Sequence, residues 1–142
     1  MIKLLHSLIC TDLLVDQVTK RSSYINIITD GRTTSLPTNM PNMYVATNWY
    51  AEGRSIGAFQ VKITFVSPSG EKKELLNDEI KDQDSKHRRY QLNLLINSLP
   101  VNEEGMHYFF IEHKAKTATK WKTDNKIPLY IEKVKTEETK QK

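Results

Sequence analysis

The segment FQVKITFVSPSGEKKEL, residues 59–75, decides the fold. Phe59, Val61, Ile63 and Phe65 alternate with Gln60, Lys62 and Thr64, the period-two pattern of a strand that buries one face. Ser67-Pro68-Ser69-Gly70 interrupts the run with turn chemistry, because proline fixes its own φ and glycine accepts positive φ. Glu71-Lys72-Lys73-Glu74-Leu75 then predicts a return strand, polar enough to lie at a sheet edge. Burying the four apolar side chains contributes roughly 1.5–3 kcal/mol each. A lone hairpin is still marginal in water, so this one must belong to a larger sheet.

Upstream, residues 2–11 predict a first strand with Ile2, Leu4, His6, Leu8 and Cys10 on one side and Leu5 and Ile9 on the other. Residues 12–16 continue it less regularly, and residues 17–22 form a polar connection. Residues 23–29 are a β-branched second strand, ended by the turn signal Asp30-Gly31. Residues 32–42, rich in Thr, Ser, Asn and Pro, predict a long loop, since Pro37 and Pro41 cannot donate ladder hydrogen bonds. Residues 43–51 predict a third strand, with Tyr44, Ala46, Asn48 and Tyr50 opposite Met43, Val45, Thr47, Trp49 and Ala51.

Downstream of the hairpin, residues 76–86 are acidic and polar and predict a mobile loop or a short edge strand. Residues 87–99 place Tyr90, Leu92, Leu94 and Ile96 on one face. A tight crossover at residues 99–105 leads into residues 106–115, which are apolar on both sides: His107, Phe109 and Ile111 against Met106, Tyr108 and Phe110. Such a strand is central or faces a partner. Further strands are predicted at residues 119–123 and 127–134, separated by a turn at Asp124-Asn125, with Pro128 on an edge. Residues 135–142 carry no apolar side chain and predict a disordered charged tail. Helical periodicity is absent. About eight or nine short strands with regular turn signals predict an all-β protein, an immunoglobulin-like antiparallel β-sandwich forming one domain over residues 1–134.

Composition agrees. A chain of 142 residues suits one domain. A hydrophobic share of 38% with 27% charged residues suits strands that show every other side chain to water. The net charge of +4 is too mild to demand a polyanionic partner. The single cysteine, Cys10, excludes an internal disulfide and argues against a cysteine-based zinc site. The opening MIKLLHSLIC has a short apolar run broken by His6 and Ser7, with bulky Ile9 where a cleavage site needs a small residue. No run reaches membrane-spanning length. The expectation is a cytoplasmic protein with no membrane partner.

Five features occur in order: Leu8-Ile9-Cys10-Thr11-Asp12, then Ser23-Tyr24-Ile25-Asn26-Ile27-Ile28, then a Pro-containing loop before a strand, then the hairpin turn at residues 65–70, then the crossover at residues 99–105. Over about residues 4–134 this order resembles a family of small bacterial β-sandwich proteins of unknown function. The resemblance implies a fold and no activity. Gly105-Met106-His107-Tyr108-Phe109 also resembles the Gly-x-Tyr-x-Phe of immunoglobulin-like strands, with His107 where the aromatic would stand.

Four groups of residues invite a functional reading. Lys114, Lys116, Lys120 and Lys122 surround Trp121, with Lys126 beyond; lysines suit phosphates, and an aromatic ring can stack a base. Arg88 and Arg89, with His87, extend this patch if their strand lies alongside. The competing reading is a solvated hairpin whose lysines discourage edge-to-edge pairing. The acidic residues Glu71, Glu74, Asp78, Glu79, Asp82 and Asp84 offer carboxylates for calcium but complete no calcium-binding pattern, so a solvated loop is preferred. Cys10 with Asp12 and any of the four histidines would make a nucleophile and base, but its alternation with core residues predicts a buried, inert thiol. His107, on an apolar face, predicts a hydrogen-bonded core histidine. Tyr44, Trp49 and Tyr50 beside Asn48 would suit sugar stacking, or simply the core. No catalytic motif is present: no His-x-x-x-His, no Gly-x-Ser-x-Gly, no glycine-rich loop before a helix. The sequence therefore predicts a non-enzymatic binding or protein-interaction module with no cofactor and no metal. Its expected partner is a protein, self-association included. The alternative is single-stranded nucleic acid bound by the Lys/Trp hairpin.

Overall fold

The computed structural model describes residues 2–52, 57–81 and 88–135, and every element in it is a strand. In chain order these are β1 (Ile2–Val15), β2 (Ser22–Ile27), β3 (Asp30–Thr33), β4 (Thr38–Met40), β5 (Met43–Ala51) and β6 (Phe59–Val66). They continue with β7 (Lys72–Ile80), β8 (Arg89–Ile96), β9 (Leu99–Val101), β10 (Gly105–Ala115) and β11 (Lys122–Lys133). A four-stranded sheet runs β2-β1-β5-β8 and a five-stranded sheet runs β3-β11-β10-β6-β7; β4 and β9 pair separately. All pairings are antiparallel except β3 with β11. No helix among the described residues is long and apolar enough to cross a membrane.

The deciding hairpin forms as its pattern requires. Phe59, Val61 and Ile63 are fully buried and Phe65 nearly so, while Gln60, Lys62 and Thr64 face outward. Gly70, with φ of 93°, closes the turn. The return strand β7 runs on to Ile80 as a sheet edge, five residues beyond the predicted Leu75. The two larger sheets share one core: the Trp49 ring of β5 lies 5.5 Å from Phe59 of β6. Phe109, Ile111, Leu129 and Ile131 fill it from β10 and β11. Asn125 of β11 fastens the sheets at one side by donating to Ser7 Oγ of β1 at 2.7 Å.

Eleven strands among the described residues replace the eight or nine expected. The added ones are short, and they form where turn residues had suggested loops. Asp30-Gly31 is not a turn but the start of β3, pairing in parallel with Tyr130 and Ile131. Gly31 serves close approach there, since a Cβ would come within 2.8 Å of Ile131 Cδ1. Part of the predicted loop at residues 32–42 is β4, whose Asn39 lies opposite Pro100 of β9. Asp124-Asn125 does not turn either. β11 runs straight through it as a bulge, with Ile111 opposite Asn125 and Glu112 opposite Thr123, leaving Asp124 as the extra residue. From residue 136 the expected tail lies outside the described residues, as do Asp82, Asp84 and His87.

The β1–β2 hairpin has a further role. Cys10 and Ala46 point away from the core yet are fully buried, and Asn48 is 3% exposed. Tyr24 of β2 accounts for this: its ring sits 5.9 Å from His6, and its hydroxyl bonds the Asn48 side chain. Ser22 reaches β8, donating to Gln91 Oε1 at 2.8 Å. The hairpin thus returns across the outer face of its own sheet.

Candidate functional site

The outer face of the five-stranded sheet presents a row of apolar side chains. Register assembles it. Met106 lies opposite Tyr130, and Tyr108 lies between Pro128 and Val66. Phe110 lies between Lys126 and Thr64. Met106 is 40% exposed, Tyr108 36% and Tyr130 41%, while their neighbours Phe109, Ile111 and Leu129 point inward and are fully covered. β10 is therefore apolar on both sides because one side builds the core and the other is presented. The Tyr108 and Phe110 rings meet edge to face at 82° and 6.4 Å, and Lys126 Nζ lies 5.0 Å over Phe110. Beside them a groove of about 420 Å³ is flanked by Lys62, Lys72, Glu74 and Glu112.

The basic segment divides. Lys114 of β10 and Lys62 of β6 both lie over the half-buried Trp121 ring, at 5.3 and 4.4 Å. Lys114 Nζ also donates to the Ala118 carbonyl at 3.1 Å. Lys116 pairs with Glu79 of β7 at 3.1 Å, both side chains well exposed, an arrangement worth about 0–1 kcal/mol. Lys120 and Lys122 are exposed. Arg88 and Arg89 do not join them. Arg89 begins β8 in the other sheet, and its Nε donates to Asn48 Oδ1 at 3.0 Å. The Arg88 carbonyl accepts from Ala51 N.

Other candidates resolve individually. Glu74, Asp78 and Glu79 lie on β7, and no group of three His, Cys, Asp or Glu among the described residues is arranged to hold a metal ion. Cys10 is fully buried, and burial, followed by the charge of Asp12, pushes its thiol up from the usual range. The thiol is buried as expected, on the outer side of its sheet beneath Tyr24 rather than in the core between the sheets. Trp49 is fully buried, while Tyr44 and Tyr50 face the other side of β5, so the three make no shared platform. His107 is 1% exposed, with Nδ1 3.0 Å from the Gly105 carbonyl, a hydrogen-bonded core histidine as expected.

One pair escaped sequence reasoning. His113 Nδ1 lies 2.6 Å from Asp124 Oδ2 inside the fold, and the His113 ring meets Trp49 edge-on at 5.4 Å. Asp124 with Asn125 carries turn chemistry, and nothing in the polar run at residues 122–126 signals that it faces inward.

A protein-family model, that of a family of unknown function, matches residues 6–122. No curated protein matches the chain.

Proposed function

The chain belongs to DUF6941, a family of unknown function, and from the geometry of this member we propose a non-catalytic protein-interaction module that docks a second copy of itself. The carrying observation is the set Met106, Tyr108, Phe110 and Tyr130, aligned on the outer face of β10 and β11 and left partly bare. Aromatic and methionine side chains on a flat surface with a charged rim are the composition of interface centres. The rim carries Lys62, Lys72 and Lys126 together with Glu74, Glu112 and Glu132. A copy related by a two-fold axis can set each sign against the other, which favours self-association over a uniformly charged partner. The scaffold reads as an immunoglobulin-like sandwich, two sheets over one core, with β3, β4 and β9 added at its margin.

Single-stranded nucleic acid on the Lys/Trp segment fits less well. Base stacking needs a free ring face, and Trp121 already lies beneath two ammonium groups. Amine cross-linking mapped by mass spectrometry tests the docking. Links joining Lys126 or Lys72 of one copy to Lys62 or Lys126 of another are expected, detected with mixed isotope-labelled chains. Links only within a copy, or only at Lys116 and Lys120, would contradict it.

A further inference from the structure

On the opposite side of β10 from Tyr108, a cavity of about 290 Å³ opens between the β6–β7 turn and the β9–β10 loop. Its walls are fixed. Glu103 Oε2 accepts from Ser69 Oγ at 2.6 Å and from Ser69 N at 3.3 Å, tying loop to turn. Gly105, at φ of 128°, passes so close to Pro68 that a Cβ would stand 2.9 Å from its Cγ. Phe65 and His107 line the cavity with their rings stacked at 5.2 Å and 15°. A carbonyl only accepts, so the contact to Gly105 O places the proton of the neutral ring on Nδ1 and leaves the lone pair on Nε2. Among the described residues Nε2 has no hydrogen-bond partner. The only enclosed side-chain nitrogen or oxygen without a partner among those residues is Asn93 Oδ1. His107 lines the cavity while only 1% exposed, and with Nδ1 taken by Gly105, Nε2 is the ring nitrogen left to meet what the cavity holds.

The remaining lining decides the ligand. Lys73 lies opposite Phe65 across β6–β7 and so shares its face, with Lys72 beside it; Glu71 and Glu103 supply the opposite charge. Phe65, Pro100 and Val101 are apolar. We propose that this cavity binds a small zwitterion, a free α-amino acid with an apolar side chain. Its ammonium group donates to His107 Nε2 and faces Glu71, its carboxylate meets Lys73 and Lys72, and its side chain packs on Phe65 and Val101. A simple carboxylate would set its charge against Glu71 and the imidazole lone pair; a simple amine would leave the lysines without a counter-charge. The volume lies at the small end of ligand pockets and suits one residue-sized molecule. This site shares Lys72 with the rim of the docking face but none of its apolar centre, so either can fail alone.

Titration of the ¹⁵N-labelled protein, followed by amide shifts, tests it with L-valine, isovalerate (which lacks the amine) and isobutylamine (which lacks the carboxylate). L-valine is expected to move resonances of residues 65–73 and 101–107 saturably in the millimolar range. Each control should bind at least about tenfold more weakly, the size of one lost charged contact. His107→Phe, which keeps the stacking and removes Nε2, should abolish the effect. Lys73→Glu, at an exposed position that does not threaten folding, should weaken it tenfold or more. No saturable shift with L-valine, equal binding of isovalerate, or undiminished binding in Lys73→Glu would overturn the proposal.

Discussion

His113 Nδ1 and Asp124 Oδ2 stand 2.6 Å apart, each side chain about nine-tenths or more buried, at the one bulge in β11. The bulge makes the pair possible: the extra residue puts Asp124 on the core side beside its inward neighbour Asn125. Trp49 closes over the imidazole from the facing sheet, and Trp49 Nε1 is itself satisfied by Thr47 Oγ1 at 2.9 Å.

Removing the carboxylate should leave a buried imidazole nitrogen without its partner. Asp124→Ala is expected to lower unfolding stability by about 1–3 kcal/mol, seen as an earlier urea midpoint with unchanged slope. Asp124→Asn, which keeps an acceptor, should cost less. Equal stability of Asp124→Ala and the wild type would mean the pair contributes nothing.

Gly105 opens β10 in a backbone conformation that side chains rarely adopt, against Pro68. Gly105→Ala should cost about 1–3 kcal/mol from φ strain alone, with the Pro68 contact adding to it. Thermal unfolding checks this. Gly70→Ala, also at positive φ (93° against 128°) but with open space around its Cβ, serves as the comparison that separates strain from collision.

Burial, then the charge of Asp12, raises the Cys10 thiol above its ordinary 9.0. Burial, then the Cys10 charge, raises the Tyr24 hydroxyl above 10.0. Both groups hold their protons more tightly folded than unfolded. Their contribution is therefore complete below about pH 9 and is lost as pH rises through the folded values. Unfolding free energy should fall above pH 9, and Cys10→Ala should flatten the first part of that fall. A fall of the same steepness in Cys10→Ala would assign it to other groups.

The returning β1–β2 hairpin covers Cys10 through Tyr24. Tyr24→Ala should loosen that cover and speed modification of Cys10 by a thiol reagent at least about tenfold under native conditions, by local opening. An unchanged rate would mean that the cover does not depend on Tyr24.

The strands with strong alternation were legible, and so was their burial: β6 with its turn, β5, and β10 with its two apolar sides. What escaped depends on distant partners. Asp30-Gly31 and Asp124-Asn125 carry turn chemistry, but β11 supplies a partner for the first and β10 for the second, and ladder hydrogen bonds override the local preference. β4 and β9 are three residues each and show no period. Nothing local says that β1 outruns β5 and folds back, so the burial of Ala46 and Asn48 was unreadable. At the candidate site the two-sided β10 announced an open face. Separating Arg89 from the lysines required knowing that β8 belongs to the other sheet.

Static light scattering on the eluting protein, over concentrations from about 10 to 500 µM, a span that covers weak self-association, measures the docking most directly. The wild type should rise in mass toward twice the 16.5 kDa of one chain. Tyr108→Glu with Tyr130→Glu, both at exposed positions, should stay at one chain mass with unaltered stability. A wild type that remains at one chain mass across the range, or a double variant that associates as the wild type does, would contradict the outer face of β10 and β11 as the docking surface.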